Sequence, residues 1–121
     1  MKKTITTFEA FWPFYLGEHS LPATRWMHFV GTTIAFINLV TAVVTLSPLY
    51  ILSALFSGYL FAWVSHFFIE KNRPATFTYP AWSFVSDWRM WALMATGRLG
   101  DELKKYSIEP KPAAATQAEV R

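Results

Sequence analysis

The sequence contains no cysteine. That excludes a disulfide framework, a thiolate nucleophile and any cysteine-held zinc or iron–sulfur centre. Charge is scarce as well: Asp, Glu, Lys and Arg make up 16% of the 121 residues, against 53% hydrophobic residues. A small soluble body has too much surface per volume to be covered by so few polar groups, so part of this chain is expected to face lipid. A net charge of +3, without a basic run or a reading-module pattern, argues against nucleic acid as a partner. The positive residues suit an anionic membrane surface better. The length allows one domain and leaves no room for a separate catalytic module. Met1-Lys2-Lys3 opens like a signal peptide, but Glu9 and Pro13 interrupt the apolar stretch behind it. No small-residue cleavage site appears, so the N-terminus is expected to be retained.

What the chain does have is two long uncharged runs, residues 26–47 and 49–69, separated by Ser47-Pro48. About 20 such residues span a hydrocarbon core of about 30 Å. The pair reads as a hairpin of two spanning helices with a very short turn. Neither run shows the one-sided periodicity of a soluble amphipathic helix, which fits immersion on all sides. Asn38 is polar in mid-span, and helix–helix hydrogen bonding is its expected role. The turn carries no charge, while Lys2, Lys3, Arg25, Lys71, Arg73 and Arg98 all lie at the other end. The positive-inside rule then makes both termini cytoplasmic, in a plasma membrane or an endoplasmic reticulum.

The flanks read as surface-lying helices. Thr6 and Glu9 fit a capping box; the aromatic stretch over residues 7–17 is short, broken by Pro13, and suited to the headgroup zone. A second flanking helix over residues 80–97 opens at Pro80 and ends at Gly97 or Gly100. Asp87 and Arg89 in its middle argue for a place along the interface. The chain is thus expected to be all-α: an integral membrane hairpin flanked by interfacial amphipathic helices, one domain over residues 1–105 and a disordered tail over 106–121.

All three histidines fall at the charged end. His28 and His66 are almost equally far from the turn, roughly 28–29 Å at 1.5 Å of rise per residue, so they share a depth. Glu70 follows His66 by four residues and projects from the same helix face. His19 joins them only if the loop before Pro22 folds back. Convergence of His19, His28, His66 and Glu70 would offer three nitrogens and one oxygen, a set that suits iron, zinc or manganese. Plainer readings stand beside this. A single histidine at a membrane helix end is more often an interfacial hydrogen-bonding group. Glu70 with Lys71 and Arg73 could form a solvated helix end, Asp87 and Arg89 could support the cluster or face water, and the aromatics could be lipid-facing anchors.

Tyr15-Leu16-Gly17-Glu18-His19, then His28, then His66-Phe67-Phe68-Ile69-Glu70-Lys71 with Arg73-Pro74-Ala75 resemble the Mpo-like membrane proteins. The resemblance covers residues 8–77. It implies an iron(II)-dependent dioxygenase that shortens 2-hydroxy fatty acids by one carbon and releases carbon dioxide. His19, His28 and His66 would be iron ligands and Glu70 a fourth ligand or a supporting partner. Arg73, with Asn72 beside it, would meet the substrate carboxylate. Two other classes stay open: a non-catalytic scaffold or lipid-binding protein with structural histidines, and a zinc hydrolase. The sequence leaves oligomeric state open.

Overall fold

The protein is described over residues 4–110 by a computed structural model. Lys2, Lys3 and residues 111–121 of the expected tail lie outside the described residues. The element order is α1 (Phe8–Gly17), α2 (Pro22–Thr45), α3 (Leu49–Val64, running on as a π-helical turn over Ser65–Glu70), a 3-10 turn (Ala75–Phe77), α4 (Pro80–Ala95) and α5 (Leu99–Lys105). No strand occurs among the described residues, and the fold is all-α.

Two helices, Pro22–Thr45 and Leu49–Glu70, are long and apolar enough to cross a membrane. The first starts four residues earlier than the uncharged run because Pro22 sits at its first turn, where a missing N–H costs nothing. Arg25 is therefore inside the helix and turns back, donating from one guanidinium nitrogen to the carbonyls of His19 (2.8 Å) and Ser20 (2.9 Å). At the other end Leu46 adopts a left-handed conformation (φ 56°). The Ser47 N–H closes onto the Ala42 carbonyl at 3.2 Å, and Pro48 leads into α3.

The two long helices meet along small residues. On α2 the buried positions include Gly31, Thr32, Ala35 and Ala42; on α3 they are Ala54 and Ala62, with Gly58 between them. Small side chains at such spacing let helix backbones approach closely without a layer of bulky packing. The closest approach is at Gly31, where an added Cβ would sit 2.6 Å from the Cβ of Phe61. The bulky residues point the other way: Ile37, Val43, Val44, Leu52 and Phe56 are all more than half exposed. Asn38 does not bridge helices. Its amide bonds back to the Ile34 carbonyl at 2.9 Å, and the hydrogen bond between α2 and α4 is made by Thr33, which accepts from the Trp91 indole at 2.9 Å.

The flanking helices differ from expectation in three respects. The cap of α1 is Thr7, whose hydroxyl accepts from the Ala10 N–H, one residue later than the Thr6–Glu9 box. The helix also runs through Pro13, since the carbonyl this ring leaves unpaired belongs to exposed Glu9. Third, Phe11, Trp12 and Tyr15 are not surface anchors: they are buried in one cluster with Leu16, Tyr79, Met90 and Leu99. Aromatic rings that find partners bury more area against each other than against headgroups. Tyr106 and Ile108 pack on this cluster as well, so ordered packing extends a few residues past the expected boundary at 105.

Candidate metal centre

Three segments meet at the end of the hairpin away from the turn. His19 follows directly on α1, held where its N–H bonds to the Leu16 carbonyl at 3.0 Å. His28 stands in the second turn of α2, and His66 lies in the π-helical turn that ends α3. A π-turn adds one residue per loop of chain, re-aims the side chains within it and is frequent at functional sites. Lys71, left-handed at φ 63°, ends it, and the Asn72 N–H caps the His66 carbonyl at 2.9 Å.

The imidazoles converge. The Nε2 atom of His19 is 3.0 Å from that of His28 and 3.0 Å from that of His66. All three residues are buried, and their candidate ligand atoms lie within 4.8 Å of one another. The opposite nitrogens are all committed outward. Nδ1 of His19 faces the Tyr15 carbonyl at 2.7 Å, and Nδ1 of His28 faces the Thr24 carbonyl at 3.1 Å. Nδ1 of His28 also faces the Ser65 oxygen, whose own proton goes to the Ala62 carbonyl. Nδ1 of His66 faces the Asn72 side-chain oxygen at 2.7 Å, and that amide is oriented by its NH2 group donating to the Glu18 carbonyl. Every one of these partners is an acceptor, so each Nδ1 carries the proton and each Nε2 offers a bare lone pair.

Three lone pairs aimed at one another have no hydrogen to share. Burial, followed by the neighbouring His28 and His66, pushes the His19 imidazole well below its usual 6.5, so a protonated ring does not relieve the arrangement. A cation does. Three imidazole nitrogens with the far nitrogens hydrogen-bonded to carbonyl or amide oxygen form the donor set of a metal centre that keeps open positions. The residues fit a metal ion.

Glu70 stands beside this set and outside it. Its carboxylate accepts from the Ser20 hydroxyl at 2.8 Å and from the Leu21 N–H at 3.0 Å. It thereby ties the segment bearing His66 to the loop bearing His19, and it places negative charge at the N-terminus of α2, where the helix dipole favours it. This tether is the fold-back that the loop before Pro22 required. Asn72, a substrate-binding candidate by sequence, is the group that orients His66. Arg73 is exposed, its guanidinium 5.1 Å from the Phe77 ring centre, and it lines neither of the cavities that reach the histidines.

Sequence reasoning missed the role of Tyr15 and left Asp87 open between supporting the cluster and facing water. The Tyr15 ring stacks on His19 with centroids 4.1 Å apart, and its hydroxyl donates to the Asp87 carboxylate. Burial pushes the Asp87 carboxyl up to about 7, against the opposing pull of that hydrogen bond. The signal was present as an aspartate in an otherwise aromatic and apolar helix. Nothing in its local sequence says which histidine it would approach.

Two cavities reach the centre. A small one of about 20 Å³ is bordered by His19, His28, His66, Ser83 and Asp87, room for about one water-sized molecule. The Ser83 hydroxyl is buried there and has no hydrogen-bond partner among the described residues. A larger one of about 220 Å³ runs from His28 and Asp87 between α2, α3 and α4 toward Leu39 and Ile51.

A family model described as 2-hydroxy-palmitic acid dioxygenase Mpo1-like matches residues 5–99. The chain belongs to the Mpo1-like family. The matched region takes in all three histidines and ends at the start of α5. No curated protein and no solved structure matches the chain. Within this Mpo1-like centre the support of each imidazole is testable. Asn72→Leu leaves His66 in place but removes its orienting acceptor, and metal affinity is expected to fall about 10- to 100-fold in a competition titration with a chelator. An unchanged affinity would show that the π-turn alone fixes the ring.

Proposed function

We propose that this Mpo1-like protein is a membrane-embedded, iron(II)-dependent dioxygenase acting on 2-hydroxy fatty acids or related lipids. The observation that carries the reading is the set of three buried Nε2 lone pairs facing one point with every Nδ1 proton already committed. His19, His28 and His66 would hold the ion, and the bound iron would supply oxygen activation. Membership of a family described as dioxygenase-like favours a redox metal over hydrolytic zinc. The overall conversion balances without an external reductant: one 2-hydroxy acid and one dioxygen give the acid shorter by one carbon, carbon dioxide and water. The chain's own residues orient the imidazoles, keep bulk water out with the Phe11–Tyr15 cluster, and keep the His19 segment docked through Glu70. Arg73 is proposed as the cation that draws the substrate carboxylate to this end.

Membrane embedding is supported by where the apolar side chains point. Only 28% and 22% of the most apolar windows of the two long helices are buried inside the protein, whereas a core helix of a soluble protein would be mostly covered. Bulky apolar side chains left exposed along two helices suit hydrocarbon. The proposed topology places the turn at Leu46–Pro48 on one side and the histidine centre, with both termini, on the cytoplasmic side. A cysteine-free chain makes this simple to check. In intact cells, Ser47→Cys is expected to react with a membrane-impermeant maleimide, and Ser107→Cys only after permeabilisation. The reverse pattern would invert the topology.

The decisive experiment is anaerobic reconstitution of detergent-purified protein with iron(II), followed by oxygen uptake on 2-hydroxypalmitate. About one iron per chain is expected from a single three-histidine centre, with pentadecanoate and carbon dioxide as products. Iron-loaded protein that consumes no oxygen with any hydroxy lipid would defeat the catalytic reading. Failure to bind metal at all would leave a membrane scaffold.

A further inference from the structure

The larger cavity has a direction. His28, Asp87, Thr32 and Tyr59 in its lining lie toward the histidine end, and the rest is Ala, Gly, Leu and Ile with Phe84 and the Trp88 indole. Along α2 it reaches from His28 to Leu39 and along α3 from Ala62 to Ile51, in each case eleven residues, or roughly 17 Å at 1.5 Å per residue. One leaflet of a bilayer is about 15 Å of hydrocarbon. The cavity is therefore about as long as one acyl chain. Its width comes from what is missing: Ala35, Ala54, Gly58 and Ala62 withdraw side chains from the helix interface, and α4 roofs the opening with Phe84 and Trp88.

The small chamber and this groove share His28, Tyr59, Ala62 and Asp87. An amphiphile lying in the groove is expected to place its polar end at those shared residues, because Leu39, Ile51, Ala54 and Leu55 at the other end carry no hydrogen-bonding group. Asp87 is half-buried and borders both cavities. Its one described hydrogen-bond partner is Tyr15, and among the described residues no lysine or arginine pairs with it.

We infer that the groove between α2, α3 and α4 holds a single acyl tail, polar end at Asp87 and His28, and that Ala54 and Ile51 gauge its length. This deepens the oxygenase reading and rests on it for the identity of the head group. Ala54 is 3% exposed and lies toward the far end of the groove, so a larger side chain there fills the space of the distal methylenes and leaves the head-group end untouched. Ile51 is the terminal lining residue on α3, 46% exposed, so shortening it opens the far end.

The test is displacement of a fluorescent polyene fatty acid from iron-loaded and from metal-free protein, using 2-hydroxypalmitate and 2-hydroxyoctanoate as competitors. Ala54→Leu is expected to weaken the long competitor about 50-fold, from about 0.8 kcal/mol for each of about three displaced methylenes. The short competitor should change less than about twofold. Equal weakening of both, or no change in either, with metal content retained, overturns the assignment. Should Ala54→Leu lose its metal through misfolding, Ile51→Ala decides instead. It is expected to shift preference toward chains longer than sixteen carbons, and an unshifted preference overturns the assignment. A shifted length preference in protein that consumes no oxygen would sink the oxygenase and leave the tail groove standing. Turnover with no length shift would do the opposite.

Discussion

His66→Ala is expected to reduce bound iron from about one equivalent to background, a loss of affinity greater than the 10- to 100-fold that an outer partner commands. Oxygen uptake should vanish with it. The control that gives the result meaning is stability. In metal-free protein the wild-type centre holds three mutually facing lone pairs, so deleting one ring removes a repulsion along with packing, and the melting temperature should move little. Added iron is another matter. At a hundredfold excess over its dissociation constant a ligand stabilises the folded state by about 2.7 kcal/mol, so wild-type protein should show a clear upward shift on loading and the variant none. If His66→Ala still takes up one equivalent with a similar shift, the three-histidine centre is not where the metal sits.

The centre is half legible in the sequence. The equal depth of His28 and His66 comes from counting outward from Ser47-Pro48, because a tight turn between two straight helices leaves one free number. His19 joins them only conditionally, since loop closure depends on a carboxylate fifty residues away: Glu70 binds Ser20 and Leu21, and no local pattern announces that. The i,i+4 relation of His66 and Glu70 suggests two ligands on one helix face. The turn is in fact π-helical, and the two side chains serve different partners. The hairpin is legible in hydropathy, and two helices long and apolar enough to cross a membrane are present. Their contact surface is invisible to the same measure, because Gly31, Ala35, Ala54, Gly58 and Ala62 differ from their neighbours in size and not in polarity. The aromatics err in the other direction: composition suggests headgroup anchors, whereas Phe11, Trp12 and Tyr15 have each other, Tyr79 and Trp82 to pack on.

That size code is where the second large effect is expected. Gly31→Ala adds one carbon, yet this carbon would lie 2.6 Å from the Phe61 Cβ and 3.1 Å from its Cγ. Neither Cβ can swing aside, because each is fixed by its backbone, so α2 and α3 must part. Overpacking of this kind costs about 1–3 kcal/mol, read as a fall in melting temperature in detergent. The larger consequence is at the metal. Gly31 is one turn beyond His28, and Phe61 is just over one turn before His66, so helices that separate here carry the two imidazoles apart. Iron affinity should fall in step with stability. Gly58→Ala is the matched control: its new Cβ would meet only the Ala35 Cβ, at 3.9 Å, an ordinary contact, and relief of glycine's backbone entropy should make it neutral or stabilising by about 0.5–1 kcal/mol. Compensation sharpens the argument. Phe61→Ala keeps the offending Cβ and is not expected to rescue Gly31→Ala, despite removing the whole ring, whereas Phe61→Gly removes that atom and should restore iron binding in the double variant. Rescue by Phe61→Ala as readily as by Phe61→Gly would mean that ring volume, and not backbone approach, sets the distance between the two histidine-bearing helices.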